Sequence, residues 1–253
     1  MYASHIKQSK NKIFLIAIAI FLISYVVRLL FLQINFTISR DGAYYIDLIR
    51  ETSSFSSLYE YVNTDEYFWV PPLYIYLIKT TSKIFNVSYF YAGVSISLYF
   101  GSLIPVLFFL LSNKISSSFR IVLLSTAITV FNPTLVYLSY QIQRESIFFF
   151  LLLLTILFLM KSFNNHGFWN MILCGVSTAL CTSIRFEGLE LLFIICFSKL
   201  FVRKSPHHIV LIELFLCTLS LLVTLIIVSF IIFKNLEALH IIFEHYRKFF
   251  IQN

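Results

Sequence analysis

Apolar residues in this chain neither alternate nor gather into narrow amphipathic stripes; they come in long runs separated by short polar connections. The runs cover 13–32, 88–111, 121–138, 146–160, 168–184, 189–202 and 209–233. Uninterrupted apolar stretches of roughly 15 to 25 residues are the signature of helices that cross a bilayer. The pattern predicts an all-α fold, a polytopic transmembrane helix bundle of about seven spans. It forms a single transmembrane domain over 1–253. Two runs, 146–160 and 189–202, fall short of the roughly 20 residues a span needs. Extending them outward takes in Arg144 and Glu145 in one case, Arg185 and Glu187 in the other.

The connections are short except for the first, 33–87. A connection of that length is either functional or disordered. Its aromatic content (Tyr44, Tyr45, Tyr59, Tyr61, Tyr67, Phe68, Trp69, Tyr74 and Tyr76) suits a membrane–water interface. Short interfacial helices are expected near 41–51 and 72–85, with Pro72 in the first turn of the second. The stretch 236–251 mixes apolar and charged residues at helical spacing and reads as a further interfacial helix.

Lysine and arginine orient the chain. Lys7, Lys10 and Lys12 precede the first run, and Lys114, Arg120, Lys161, Arg203 and Lys204 fall in alternate connections. This predicts a cytoplasmic N-terminus and a multi-pass protein, with 33–87 as the first outer loop. The first run is longer than a signal-peptide core and lacks a small-residue cleavage site, so it reads as an anchor. Asp41, Asp47, Glu51, Glu60, Asp65, Glu66, Glu145, Glu187, Glu190, Glu237 and Glu244 all gather on the predicted outer side. Only Glu213 lies toward the inner side. The Ile-, Phe-, Lys- and Asn-rich composition fits a bacterial inner (plasma) membrane.

Composition agrees with the pattern. The chain is 59% hydrophobic and 12% charged, whereas soluble domains are about half apolar and a quarter charged. The net charge of +7 does not point to nucleic acid, because the basic residues are scattered and form no stripe. Cys174, Cys181, Cys196 and Cys217 all lie inside predicted spans and read as small packing residues. Their spacing matches neither a zinc site nor a disulfide framework. No cofactor is implied, and nothing in the sequence supports a divalent metal.

A charge at bilayer depth costs roughly 3 kcal/mol on insertion scales, so it faces a partner or a wet cavity. Arg144, Glu145, Arg185 and Glu187 therefore form either snorkelling ion pairs at helix ends or a polar pocket open sideways to lipid. Arg28, near the outer end of the first run, reads first as an interfacial snorkel and otherwise as a third member of that pocket. Glu213 reads as a helix-end or interhelical partner, and His207 and His208 as loop residues.

Four segments, in order, resemble the GT-C class of polytopic membrane glycosyltransferases, in particular the protein mannosyltransferase and aminoarabinose transferase-like branch. They are Arg40-Asp41-Gly42-Ala43-Tyr44-Tyr45, Trp69-Val70-Pro71-Pro72-Leu73-Tyr74, Asn132-Pro133 followed by Arg144-Glu145, and Arg185-Phe186-Glu187-Gly188-Leu189. The resemblance implies transfer of a sugar from a polyprenyl-phosphate donor to a lipid, glycan or protein acceptor on the extracytoplasmic face. It makes Asp41 the catalytic carboxylate. Arg40, Tyr44, Tyr45, Arg144, Glu145, Arg185 and Glu187 become donor- or acceptor-binding residues. Arginine suits the donor phosphate because its planar fork offers paired charge-assisted hydrogen bonds. Many such enzymes carry two adjacent acids where this chain has Asp41-Gly42. They are also commonly longer, which leaves a minimal form, a fragment or one half of a complex with a partner subunit as readings.

The alternative from another class is a non-catalytic membrane protein: a lipid-carrier transporter subunit, or an inactive paralogue in an envelope assembly. A transporter is expected to hold its polar residues near the bilayer midplane on broken helices. The polar residues here are predicted near one face.

Overall fold

The computed structural model describes residues 10–35, 37–51, 72–163, 167–202 and 206–233. These residues form ten α-helices and one 3-10 turn, with no strand among them. The helices are α1 (Lys10–Ile34), α2 (Arg40–Glu51), α3 (Pro72–Phe85), α4 (Tyr89–Ile115) and α5 (Phe119–Phe131). They continue with α6 (Pro133–Tyr140), α7 (Glu145–Ser162), α8 (Phe168–Ile184), α9 (Glu190–Val202) and α10 (His207–Phe233). The 3-10 turn, Phe186–Leu189, joins α8 to α9.

Helices α1, α4, α7 and α10 are long and apolar enough to cross a membrane. Large apolar side chains stand open along them, with Phe14 66% and Phe230 63% exposed. Faces of that kind belong in lipid and not in water, so the chain is a helical membrane protein. The expected count of seven spans is not confirmed: among the described residues there are four such helices, or five if α5 and α6 are one bent span. Helices α8 and α9 have 17 and 13 residues. At 1.5 Å per residue they rise about 25 and 20 Å, short of a hydrocarbon core of about 30 Å.

The run expected as one span over 121–138 breaks at Asn132, where α5 and α6 meet at a bend of 48°. Asn132 caps α6, its Oδ1 accepting from the Leu135 amide at 3.0 Å, and Pro133 takes the first helical position. A capping Asn followed by Pro is a helix start, and here it falls inside an apolar run. The run at 146–160 does extend at its N-terminal end, where α7 begins at Glu145 with Arg144 just before it. The run at 189–202 does not, since the chain leaves helix at Arg185 and forms the 3-10 turn before α9.

Helices are present as α2 and α3 at both places where short helices are expected in the first connection. In α2, Tyr45, Leu48 and Ile49 are buried and Asp47, Arg50 and Glu51 are exposed, one apolar stripe at helical spacing. The expected helix at 236–251, Trp69 to Pro71 and all the aromatic residues between them and α2 lie outside the described residues.

The chain divides into two compact units, 1–43 with 88–153, and 44–87 with 154–253. In the first unit α1 packs on α4, and α4 also meets α5 and α6. Ile20, Phe109, Val122 and Val130 form its core cluster. In the second unit α10 lies along α8, and α3 also touches both. Gly175 lets these two helices meet, because a Cβ there would come within 2.2 Å of the Cys217 carbonyl. Leu159, Met171, Cys174, Ile195 and Cys217 form one cluster, and Ala179, Phe186, Leu221 and Leu225 another. The four cysteines are free thiols, and Cys174 and Cys217 serve as small core residues, as expected.

Lys199 of α9 and Glu213 of α10 are both fully buried and pair at 3.0 Å. The Lys199 ammonium also donates to the Ser162 carbonyl at the end of α7 and stands 4.8 Å from the Phe163 ring. Glu213 is thus the interhelical partner that its position suggests. The pair ties the short α9 to α10. Removing one member leaves a buried charge, at a cost of about 3–5 kcal/mol, whereas replacing both with apolar residues is often neutral or stabilising. Thermal unfolding in detergent should therefore show a marked loss for Glu213→Leu and recovery of stability in Lys199→Met/Glu213→Leu. A double variant no better than the single one would mean the pair does not set the α9–α10 contact.

Candidate functional site

In the first unit the site is built on the connection from α6 to α7, residues 141–144. Three elements hold it. Ser39 caps α2, its Oγ accepting from the Gly42 amide at 3.0 Å. The same hydroxyl lies 3.5 Å from the Ile142 carbonyl as donor. Gln141 Nε2 donates to Thr37 Oγ1 at 3.2 Å, and Ser97 Oγ of α4 donates to the Gln143 carbonyl at 3.2 Å. Ser146 Oγ closes the connection by donating to the Leu138 carbonyl at 3.0 Å.

Ile142 is the centre of this arrangement and is 1% exposed. A Cβ added at Gly42 would come within 2.9 Å of the Ile142 Cβ and 3.1 Å of its carbonyl oxygen. One added at Gly93 of α4 would come within 2.8 Å of its Cγ2. Ile142 thus occupies space that side chains at two glycines would need. Gly93, Ser97 and Gly101 form a small-residue stripe at four-residue spacing that lets the connection and, at Ser139, α6 lie against α4. Gly42 has no room for a side chain unless Ile142 shifts.

This contact brings two of the four sequence segments together. Asp41 is one residue from the close approach on one side. Arg144 and Glu145 are two and three residues from it on the other. Asp41 lies in the first turn of α2 and Glu145 in the first turn of α7, where the helix dipole favours a carboxylate. Asp41, Arg144 and Glu145 are part-buried, and Arg40 is exposed.

The other candidates belong to the second unit. Arg185 pairs with Glu187 through Nη2 and Oε1 at 2.6 Å across the start of the 3-10 turn. Gly188 allows that turn to fold back on α8, since a Cβ would come within 2.4 Å of the Thr182 amide nitrogen. Phe186 anchors the turn in the core. Tyr45 is 1% exposed and meets Tyr74 edge-on at 5.4 Å, so its ring is a core contact, and Tyr44 is the more open of the two. Among the described residues no three His, Cys, Asp or Glu side chains are grouped to hold a metal ion.

Sequence reasoning placed Arg28 as a snorkelling side chain, but it is fully buried. Its Nε donates to Ser139 Oγ of α6 at 3.0 Å, and Nη1 donates to the Ser24 carbonyl and hydroxyl. Ser24, one turn earlier on the same face, is the signal in the sequence that the side chain turns inward. Lys199 was missed, although a lysine inside an apolar run asks for an acid such as Glu213. Comparison of the chain with protein families, curated proteins and solved structures finds no match.

Proposed function

We propose that this chain is a membrane glycosyltransferase that moves a sugar from a polyprenyl-phosphate donor to an acceptor on the extracytoplasmic face. The observation that carries the reading is the seating of Gly42 on Ile142, which joins the Asp41 segment to the connection bearing Arg144 and Glu145. A lipid-linked donor keeps its tail in the bilayer and presents its phosphate at the interface. Asp41 accepts the proton of the acceptor hydroxyl as that oxygen bonds to the anomeric carbon. The bond from that carbon to the phosphate oxygen breaks, and polyprenyl phosphate leaves with the electron pair. Arg144, on the connection seated against the Asp41 segment, is the cation suited to the departing charge. The acceptor, a lipid, glycan or protein, enters from outside, and the N-terminus is cytoplasmic.

Asp41→Asn keeps the shape of the side chain and removes the proton acceptor. Sugar transfer from radiolabelled lipid donor in membranes should fall by about 10²- to 10⁴-fold, the usual contribution of a positioned base. Donor binding should change far less, because the base acts in the transition state. An inserted Asn variant with undiminished transfer would remove Asp41 from the chemistry and favour the non-catalytic alternative.

The orientation is tested separately. Asn35 and Ser117 are both exposed, and they lie at opposite ends of the predicted topology. With Cys196 replaced by alanine, Asn35→Cys should react with an impermeant thiol reagent in intact cells and Ser117→Cys should not. The reverse labelling would move the chemistry to the cytoplasmic face.

A further inference from the structure

Arg28 sits six residues before the end of α1, about 9 Å below it along the helix. Its side chain is fully buried, and all its partners are neutral: two serine hydroxyls and one carbonyl. Its Nη2 has no hydrogen-bond partner, and it pairs with no carboxylate among the described residues. Removing a charge from water costs several kcal/mol unless an opposite charge and hydrogen bonds offset it. Lys199, also fully buried, has its counter-charge in Glu213. Arg28 has a fork with one side taken and one side open.

Two further unsatisfied groups lie in the same unit. The side-chain carbonyl oxygens of Gln141 and Gln143 have no hydrogen-bond partner, and Gln141 is 1% exposed. Gln141 follows Ser139, the residue that holds the Arg28 Nε, by two positions. The buried interior thus offers a cationic donor and, on the adjoining connection, amide acceptors. The complementary ligand carries an oxyanion and a hydroxyl donor.

We infer that Arg28, with Ser139 and Gln141, forms a buried binding site for a phosphate oxyanion in the first unit. The phosphate oxygens take the open Nη2, and a hydroxyl attached to the same ligand donates to Gln141 Oε1. Helix α6, which holds the Arg28 Nε through Ser139, is eight residues long and meets α5 at a 48° bend; it is the element that shifts to admit the ligand. A lipid-borne phosphate reaches the site through the bilayer, and soluble phosphate reaches it from water. The lipid arm of the test rests on the proposed transferase reading; the oxyanion site itself rests on Arg28 and its neighbours.

The purified full chain in detergent should be stabilised against heat by farnesyl phosphate and not by farnesol. Equal stabilisation by inorganic phosphate would assign the site to a soluble source. Arg28→Met removes an uncompensated buried charge, so without ligand it should unfold no earlier than the parent. It should also weaken farnesyl phosphate binding by about tenfold or more, the worth of one charge-assisted hydrogen bond. Arg28→Lys keeps the charge, loses the fork and should bind more weakly than the parent. If neither phosphate stabilises the parent, or if both variants bind as the parent does, Arg28 is a cross-link between α1 and α6 and the inference fails. Arg28-dependent binding without sugar transfer would keep the site and remove the transferase. Transfer that needs Asp41 but ignores Arg28→Met would do the opposite.

Discussion

Ile142 fills the space that side chains at Gly42 and Gly93 would otherwise require, and the arrangement of the first unit follows from that contact. The α6–α7 connection has to pass between α2 and α4, and its backbone polar groups need partners there. Ser39 and Ser97 supply hydrogen bonds to it from the two sides, and Thr37 meets the Gln141 amide. A β-branched side chain is stiff about its first torsion, so Ile142 is a firm wedge for two glycines to close on. Close packing of this kind tolerates even one added methylene poorly. The start of α2 therefore has one seat, and the carboxylate of Asp41 is carried with it.

The two units handle buried charge differently. In the second, Lys199 and Glu213 neutralise each other, and the pair serves packing. In the first, Arg28 is surrounded by hydroxyls and a carbonyl, which solvate the guanidinium without neutralising it. The difference matters because a low-dielectric interior strengthens a satisfied pair and penalises an unmatched charge by the same factor. A matched pair is a structural tie, while an unmatched arginine is receptive to an anion.

Much of this was legible in the sequence. Apolar runs foretold the helices, and the short helices expected near 41–51 and 72–85 are present as α2 and α3. The span count was not legible, because a run records apolarity and not continuity. The Asn132 cap and Pro133 interrupt one run without adding charge, and α8 and α9 are apolar but short. The role of Gly42 was visible only as a missing acid, since its cause is a contact with a residue 100 positions away. The burial of Arg28 depends likewise on Ser139, 111 positions along the chain. Local pattern carries no information about such distant partners.

The seat of α2 against the α6–α7 connection fixes the position of Asp41, and a cross-link reads that contact directly. A Cβ at position 42 would lie 2.9 Å from that of Ile142. Disulfides hold their Cβ atoms about 3.8 Å apart, so the pair can be bridged after a small adjustment. In membranes, Gly42→Cys/Ile142→Cys treated with a mild oxidant should yield, after digestion, one disulfide-linked peptide pair containing positions 42 and 142. Two thiols that stay unlinked, and that both react afterwards with a maleimide, would contradict the account.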